Sequence, residues 1–251
     1  MIALDLIGIG TGNPDHVTLA AVRAMQGADL ILLPLKGDDK ADLVDLRRHI
    51  CAEHLPDLSR VVEFDLPVRD GRADYIGAVN DWHDAIAAAW LHHIRAHLPN
   101  GGRVALLVWG DPSLYDSTLR IAQRLGAGGM DMTTRVVPGV TSLSVLTAAH
   151  AIPLNTLGAP VLITTGRRLR EQGWPVDADA VAVMLDVGGS FTALDADGVH
   201  IWWGAYLGMA HEALIEGPLA EVAQMILDTR AALRAKHGWI MDIYLMHRTN
   251  T

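Results

Sequence analysis

The stretch Val104-Ala-Leu-Leu-Val108-Trp109-Gly110-Asp111-Pro112-Ser113-Leu114-Tyr115 decides the fold. An unbroken apolar run enters a Gly-Asp-Pro turn. A short run of this kind, bounded by turn residues, predicts a strand buried on both faces, as in a parallel sheet. The turn then sits at the strand's carboxyl end, where open α/β sheets bind ligands. Gly110 lets a ligand approach the backbone, and Pro112 fixes the turn. Asp111 can cap the following helix or accept a hydrogen bond from a ligand amine. Taken alone, the same three residues are simply a turn.

The pattern on either side is α/β. Upstream, strands are predicted at 2–9, 29–35 and 60–66, with helices at 18–26, 42–54 and 74–98. The first helix should show Leu19, Val22 and Met25 on one face, the second Leu43, Leu46 and Ile50. The third carries Ile76, Val79, Trp82 or His83, Ile86, Trp90 and Ile94. Downstream of the turn come a helix at 113–125, a strand at 132–137 and a short helix reaching 149. Two prolines and a glycine in Ile152-Pro153-Leu-Asn-Thr-Leu-Gly158-Ala-Pro160 mark a boundary, which gives domains 1–153 and 158–251. The second half has strands at 161–165, 180–185, 200–207, 212–216 and 239–246, a helical turn at 167–171 and a helix at 218–236. The expected fold is two α/β domains, the first with a mainly parallel sheet and the second with a mixed one.

Half of the 251 residues are hydrophobic, so a sizeable core can form. A net charge of −9 argues against a nucleic-acid surface, which needs clustered Lys and Arg. The single cysteine, Cys51, excludes an intramolecular disulfide and fits a reducing, cytoplasmic setting. Residues 1–10 contain Asp5 and no basic region, so no signal peptide is expected. No apolar run approaches the roughly 18 residues of a membrane helix. His92, His93 and His97 come without a carboxylate or third ligand at useful spacing, so no metal site is expected.

Two further turns share the character of the first. Gly8-Ile-Gly10-Thr-Gly12-Asn13-Pro14 follows a strand and precedes a helix, as a dinucleotide fingerprint does, but lacks the third glycine. It reads either as a tight turn or as a backbone surface held open for a flat ligand. Pro138-Gly139-Val-Thr141-Ser142 follows another buried strand and offers two hydroxyls at a helix start, where an N-cap would also use them. The three turns recur in order, about 100 and 28 residues apart, at one sheet edge.

This order resembles the tetrapyrrole methylase family, whose glycine-rich first turn, G-D-P-x-x-[YF] turn and P-G-[VI]-[ST]-S turn follow the same sequence. The resemblance runs over nearly the whole chain. Within the family, Leu33 to Arg48, Trp109 to Thr118 and His237 to Ile243 are similar to a branch acting in aerobic cobalamin synthesis. Asp116-Ser117-Thr118 replaces the Gly-Arg-Gly of the uroporphyrinogen methylases, which argues against that substrate.

The resemblance implies an S-adenosyl-L-methionine-dependent C-methyltransferase, with the cofactor in an interdomain cleft and S-adenosyl-L-homocysteine as product. It implies cofactor contacts from Trp109, Gly110, Asp111, Leu114, Tyr115, Thr141 and Ser142, and from Met184, Ala205, Tyr206 and Leu207. The implied substrate is the polycarboxylate tetrapyrrole precorrin-5, methylated at C-1 with the acetyl group released as acetate. A homodimer is also implied. Methyl transfer from a sulfonium asks chiefly for orientation in a desolvated cleft. Deacetylation asks in addition for a base and an oxyanion donor. Tyr115 and Asp15 are candidates, with His16, Asp65 and Tyr75 beside them. The glycine loop (Gly10, Gly12, Pro14) is placed against the substrate. Arginine grips carboxylates bidentately, so Lys36, Arg47, Arg69 and Arg72 are assigned to the substrate at the cleft mouth, with Lys40, Arg167 and Arg168 as further basic residues. Three alternatives remain at this point: another precorrin methylase, a degenerate nicotinamide-dependent oxidoreductase, and a non-catalytic binding module. Asn13-Pro14, and the absence of an acidic residue closing the second strand, argue against the oxidoreductase.

Overall fold

The computed structural model describes residues 1–35, 41–69 and 75–248. They divide into two compact units, Met1–Thr141 and Ser142–Thr251.

The first unit contains β1 (Ile2–Gly8), α1 (Leu19–Gln26), β2 (Leu30–Leu35), α2 (Ala41–His54), β3 (Val61–Asp65), α3 (Tyr75–His97), β4 (Gly102–Val108), α4 (Thr118–Ala127) and β5 (Met132–Val137). Its five strands are parallel, in the order β3-β2-β4-β1-β5. β1 and β4 sit inside the sheet and bury apolar side chains on both faces. Ile7, Ile31, Leu33, Ala105 and Leu107 meet Ala21 and Met25 of α1 and Val44 and Ile50 of α2. On the opposite face, Leu4, Leu6, Leu30, Leu32, Val104 and Leu106 meet Ile86, Trp90 and Ile94 of α3 and Ile121 and Leu125 of α4. Each such side chain stabilises the fold by about 1.5–3 kcal/mol when fully buried.

This arrangement creates a switch point. The chain leaves β1 through α1 on one face, and leaves the neighbouring β4 through α4 on the other. The carboxyl ends of β1 and β4 therefore open a crevice, the place where doubly wound sheets bind ligands.

The second unit contains α5 (Ser142–Ala149), β6 (Val161–Thr165), α6 (Gly166–Gln172), β7 (Ala180–Met184), β8 (Val199–Ala205), β9 (Ala213–Pro218), α7 (Leu219–His237) and β10 (Asp242–Arg248). Its sheet order is β6-β7-β10-β8-β9. β6 and β7 are parallel, and the remaining pairs are antiparallel. Trp203 and Tyr244, paired across β8 and β10, anchor a core with Phe191, Leu219 and Ile226.

Four expectations about single elements change. The helix predicted from residue 113 starts at Thr118, because Asp111 holds Ser113 in a side-chain turn and Tyr115 has φ +50°, which a right-handed helix cannot contain. Leu19 is 72% exposed, and α1 buries Ala21, Ala24 and Met25 instead. Ile76 is likewise exposed on α3. β8 ends at Ala205, so Tyr206 and Leu207 belong to a turn. The two units divide after Thr141, whereas the prolines at 153 and 160 place the boundary later in the sequence. α5 packs on β8 and β10.

Candidate active site

Three turns of the first unit meet main chain on main chain. A Cβ added to Gly8 would lie 2.6 Å from the Gly139 nitrogen and 2.7 Å from the Gly110 oxygen. One added to Gly139 would lie 2.1 Å from the Gly110 oxygen. No side chain fits at either position without moving backbone. The Ile9 amide donates to the Val108 carbonyl (2.9 Å) and the Gly110 amide to the Gly10 carbonyl (2.8 Å), so the β1 and β4 tips remain paired beyond their strands. Gly110 differs from the other two. Its added Cβ would find Thr141 Cα and the Val140 oxygen no nearer than 3.9 Å. A side chain is thus excluded at Gly8 and Gly139, whereas at Gly110 a Cβ would be in ordinary contact with Thr141 and Val140.

Asp111 locks this shelf from the inside. One carboxylate oxygen accepts from the Ser113 amide (2.8 Å) and hydroxyl (2.5 Å), and the other from the Gly139 amide (2.9 Å). Burial is the largest single influence and pushes the carboxyl's pKa up, but these donors together outweigh it and hold the group below its ordinary value. The Asp111 side chain therefore ties the β4 turn to the β5 turn. Beyond it, Tyr115 is 43% exposed on a left-handed backbone that costs roughly 1–2 kcal/mol for a non-glycine residue.

The β1 turn is held by its own side chains. The Asn13 side chain accepts from the Asp15 amide (3.0 Å) and caps a short 3-10 turn begun by Pro14. The Thr11 hydroxyl and His16 Nδ1 lie 3.0 Å apart. Gly10, at φ +76°, packs against the Cβ of His16, and Gly12 is buried. Asp15 is exposed on this turn.

Arg47 departs from its expected place. It lies in mid-helix on α2, on the same stripe as Leu43 and Ile50, and is only 4% exposed. Its Nε donates a long bond to the Leu107 carbonyl (3.4 Å), and its guanidinium carbon lies 4.8 Å from the centre of the Trp109 ring. Burial lowers its pKa to about 10, with Asp116 and Cys51 acting weakly the other way, so it stays charged at neutral pH. Arg69 is exposed, as are Arg167 and Arg168. Lys36, Lys40 and Arg72 lie outside the described residues. Among the described residues no three His, Cys, Asp or Glu side chains converge to hold a metal ion, and His93 and His97 instead stack on each other.

In the second unit, β7 and β8 both run antiparallel to β10, so their carboxyl ends share one edge. Each ends in a left-handed non-glycine residue, Leu185 (φ +54°) and Tyr206 (φ +51°). Leu185 follows the half-buried Met184 and is 62% exposed. Tyr206 is turned inward: its amide donates to the Met241 carbonyl (2.9 Å), its hydroxyl to the Trp239 carbonyl, and its ring meets His211 and His237. Ala205 and Leu207 are buried as well. Any ligand contact from residues 205–207 is thereby confined largely to main chain.

A buried carboxylate network with no distinctive sequence signal supports these ends. Asp186 accepts from the Gly188 amide (3.1 Å), the Ser190 amide (2.6 Å) and hydroxyl (2.8 Å), and the Tyr244 hydroxyl (2.7 Å). Burial is the strongest single influence and raises its pKa, but the four donors prevail and lower it. Asp242 accepts from Arg230 Nε (2.8 Å) and Trp203 Nε1 (3.0 Å), yet burial wins there and raises its pKa. Arg230 also donates to the carbonyls of Asp186 (2.6 Å) and Val187 (3.0 Å), which fixes the β7 turn.

The family model for Tetrapyrrole (Corrin/Porphyrin) Methylases matches residues 3–223. A Sinorhizobium protein named precorrin-6A synthase [deacetylating] is 48% identical over 246 residues, covering 97% of this chain and 94% of that protein. A second Sinorhizobium protein, precorrin-2 C(20)-methyltransferase, is 32% identical over 59% of each chain. Among solved structures, a cobalamin synthesis related protein (CobF) from Corynebacterium diphtheriae aligns with TM-score 0.85 and 35% identity over the whole of both chains. The fold is also that of a Thermus thermophilus uroporphyrin-III C-methyltransferase complexed with S-adenosylhomocysteine, at TM-score 0.62 and 20% identity over 98% of this chain and 92% of that one.

Proposed function

This chain belongs to the tetrapyrrole methylase family, and on that premise we propose that it transfers a methyl group from S-adenosyl-L-methionine to C-1 of precorrin-5. The acetyl group leaves as acetate, a step of cobalamin biosynthesis. The observation that carries this reading is the glycine shelf. Three turns are locked backbone to backbone at a switch point, and the Cβ position of Gly110, unlike those of Gly8 and Gly139, is not pressed against neighbouring main chain. The 48% identity to a precorrin-6A synthase [deacetylating] selects the branch of the family.

The cofactor supplies an electrophilic methyl group. The residues that the family resemblance assigns to it, and that would hold it, are Trp109, Gly110, Asp111, Leu114, Tyr115, Thr141, Ser142, Met184, Ala205, Tyr206 and Leu207. The donor set fits such a group. Gly110, with no side chain, lets a nucleoside approach the main chain, and Asp111 contributes by holding the turn in shape. Gly10, Gly12 and Pro14 present a second backbone surface to the tetrapyrrole, with Lys36, Arg69 and Arg72 gripping its carboxylates. In the deacetylation, the water oxygen bonds to the acetyl carbonyl carbon. The bond from that carbon to C-1 breaks, the electron pair left at C-1 forms the bond to the transferred methyl group, and both water protons are released with acetate. Tyr115, displayed on its strained turn, is the candidate group for handling that proton, with Asp15 as the second.

No helix among the described residues is long and apolar enough to cross a membrane, and Cys51 is a free, buried thiol. We place the protein in the cytoplasm as a homodimer without nucleic-acid partners; sedimentation at micromolar concentration should give twice the chain mass, and a monomer would contradict it. Calorimetry tests the cofactor assignment. S-adenosyl-L-homocysteine should bind and NADH should not; the reverse would return the nicotinamide reading to first place.

A further inference from the structure

Arg47 is buried to 4% exposure in the apolar stripe of α2, a position that a methionine would fill with no charge to desolvate. Among the described residues no carboxylate lies within ion-pair distance of it, although Asp116 attracts it from farther off. Cys51, one turn along the helix, is pushed up to about 11 by burial and so remains a neutral thiol at pH 7. The guanidinium NH1 is buried with no hydrogen-bond partner, and the indole Nε1 of Trp109 is a second buried donor without one. Two orphaned donors, one of them cationic, thus lie together at the carboxyl end of β4, next to the Gly110 turn. Buried donors of this kind call for a missing acceptor. The acceptor that best suits a planar guanidinium is a carboxylate, held through parallel N–H bonds.

We propose that Arg47 and Trp109 form a carboxylate-binding subsite at the switch point, closed by the Trp109 ring until a ligand carboxylate takes the ring's place over the guanidinium. The inference rests on the methyltransferase reading, which supplies two carriers of that chemistry: the amino-acid end of the cofactor, and an acetate or propionate arm of the tetrapyrrole. It differs in place from the assignment made from sequence, which put Arg47 with Lys36, Arg69 and Arg72 at the cleft mouth.

The test compares the wild type with Arg47→Met and Arg47→Lys. Calorimetry is run with S-adenosyl-L-homocysteine and with its decarboxylated analogue, and KM and kcat are measured for precorrin-5. If the cofactor supplies the carboxylate, Arg47→Met weakens S-adenosyl-L-homocysteine at least tenfold and leaves the analogue's affinity unchanged. If the substrate supplies it, both nucleosides bind as before while KM for precorrin-5 rises at least tenfold at near-constant kcat. Arg47→Lys, which keeps the charge and loses the fork, should fall between in either case. Folded variants with all these constants within twofold of wild type overturn the subsite. Should the variants fail to fold, the ¹⁵N Nε resonance of Arg47 in the wild type decides. It should shift on saturation with one of the two ligands, and no shift with either overturns the subsite. A wild type that binds S-adenosyl-L-homocysteine while Arg47 proves indifferent refutes the subsite alone. A wild type that binds no S-adenosyl-L-homocysteine and releases no acetate refutes the methyltransferase reading and the subsite with it.

Discussion

The turns after β1, β4 and β5 and the turns after β7 and β8 meet the same requirement in opposite ways. Both sets hold an unusual backbone at the carboxyl edge of a sheet. In the first unit the left-handed positions at Gly10 and Gly110 carry no Cβ, and the turns touch through peptide groups. In the second unit two left-handed positions, Leu185 and Tyr206, do carry side chains, and hydrogen bonds hold them: the Asp186 network beside one, and bonds from the Tyr206 hydroxyl and amide to the Trp239 and Met241 carbonyls at the other. Glycine packing relieves strain and leaves no space to spare. Side-chain networks tolerate strain but depend on buried charges.

The comparison breaks first at Gly139. Its Ala variant would put a methyl carbon 2.1 Å from the Gly110 oxygen. Gly139→Ala should destabilise by about 3 kcal/mol or more, as other severe overpacking does, with loss of S-adenosyl-L-homocysteine binding. Gly110→Ala, whose methyl would meet its neighbours at 3.9 Å, an ordinary contact distance, should lose only about 1–2 kcal/mol from its backbone conformation. Urea denaturation of the pair separates the crowded position from the uncrowded one; equal losses would contradict the distinction.

Next in size is Asp186→Asn in the second network. Removing a buried carboxylate that four donors serve should cost about 2–3 kcal/mol, read by the same denaturation. Cofactor affinity should follow only as far as the β7 turn shifts.

Asp111→Asn should lose less, about 1–2 kcal/mol, because only three donors on a half-buried group are affected. It also carries a pH signature. The folded pKa of Asp111 lies below the unfolded value of about 3.9. Its contribution is therefore present above that value and is lost as pH falls through the folded pKa. Asp186 behaves alike, whereas Asp242, raised by burial, has the opposite sign: its contribution is present below the unfolded pKa and is lost as pH rises through the folded one. Acid titration of stability should be shallower in Asp111→Asn than in the wild type; an unchanged slope would show that the Ser113 and Gly139 bonds do not hold the carboxylate ionised.

The smallest effect is expected at Tyr206→Phe, about 1 kcal/mol for one hydrogen bond to the Trp239 carbonyl. Since the ring points inward, S-adenosyl-L-homocysteine affinity should stay within about twofold, roughly 0.4 kcal/mol. A tenfold loss would mean that the tyrosine side chain itself meets the ligand.

Sequence patterns made the first unit more readable than the second. Strands buried on both faces leave unbroken apolar runs, so β1, β2 and β4 were visible without any partner. The three glycine turns stood out by composition and order. That Gly8, Gly110 and Gly139 touch one another was not visible, because it depends on the placement of β1 between β4 and β5. The start of α4 was misplaced for a local reason: Asp111 serves Ser113 and Gly139 rather than capping a helix. Arg47 was assigned to the substrate at the cleft mouth from its residue type, although its spacing from Leu43 and Ile50 already put it on the buried stripe. In the second unit Met184, Ala205, Tyr206 and Leu207 look like core and were marked only by family resemblance. The Asp186 and Asp242 networks join residues up to 58 positions apart, which no local pattern reports.

The central claim is tested most directly by incubating the protein with precorrin-5 and methyl-labelled S-adenosyl-L-methionine, then measuring label in the pigment and acetate in solution. One labelled methyl gained and one acetate released per turnover is the predicted result. Methylation without acetate would contradict the deacetylating assignment and leave the family reading standing; no label in the pigment would contradict the account as a whole.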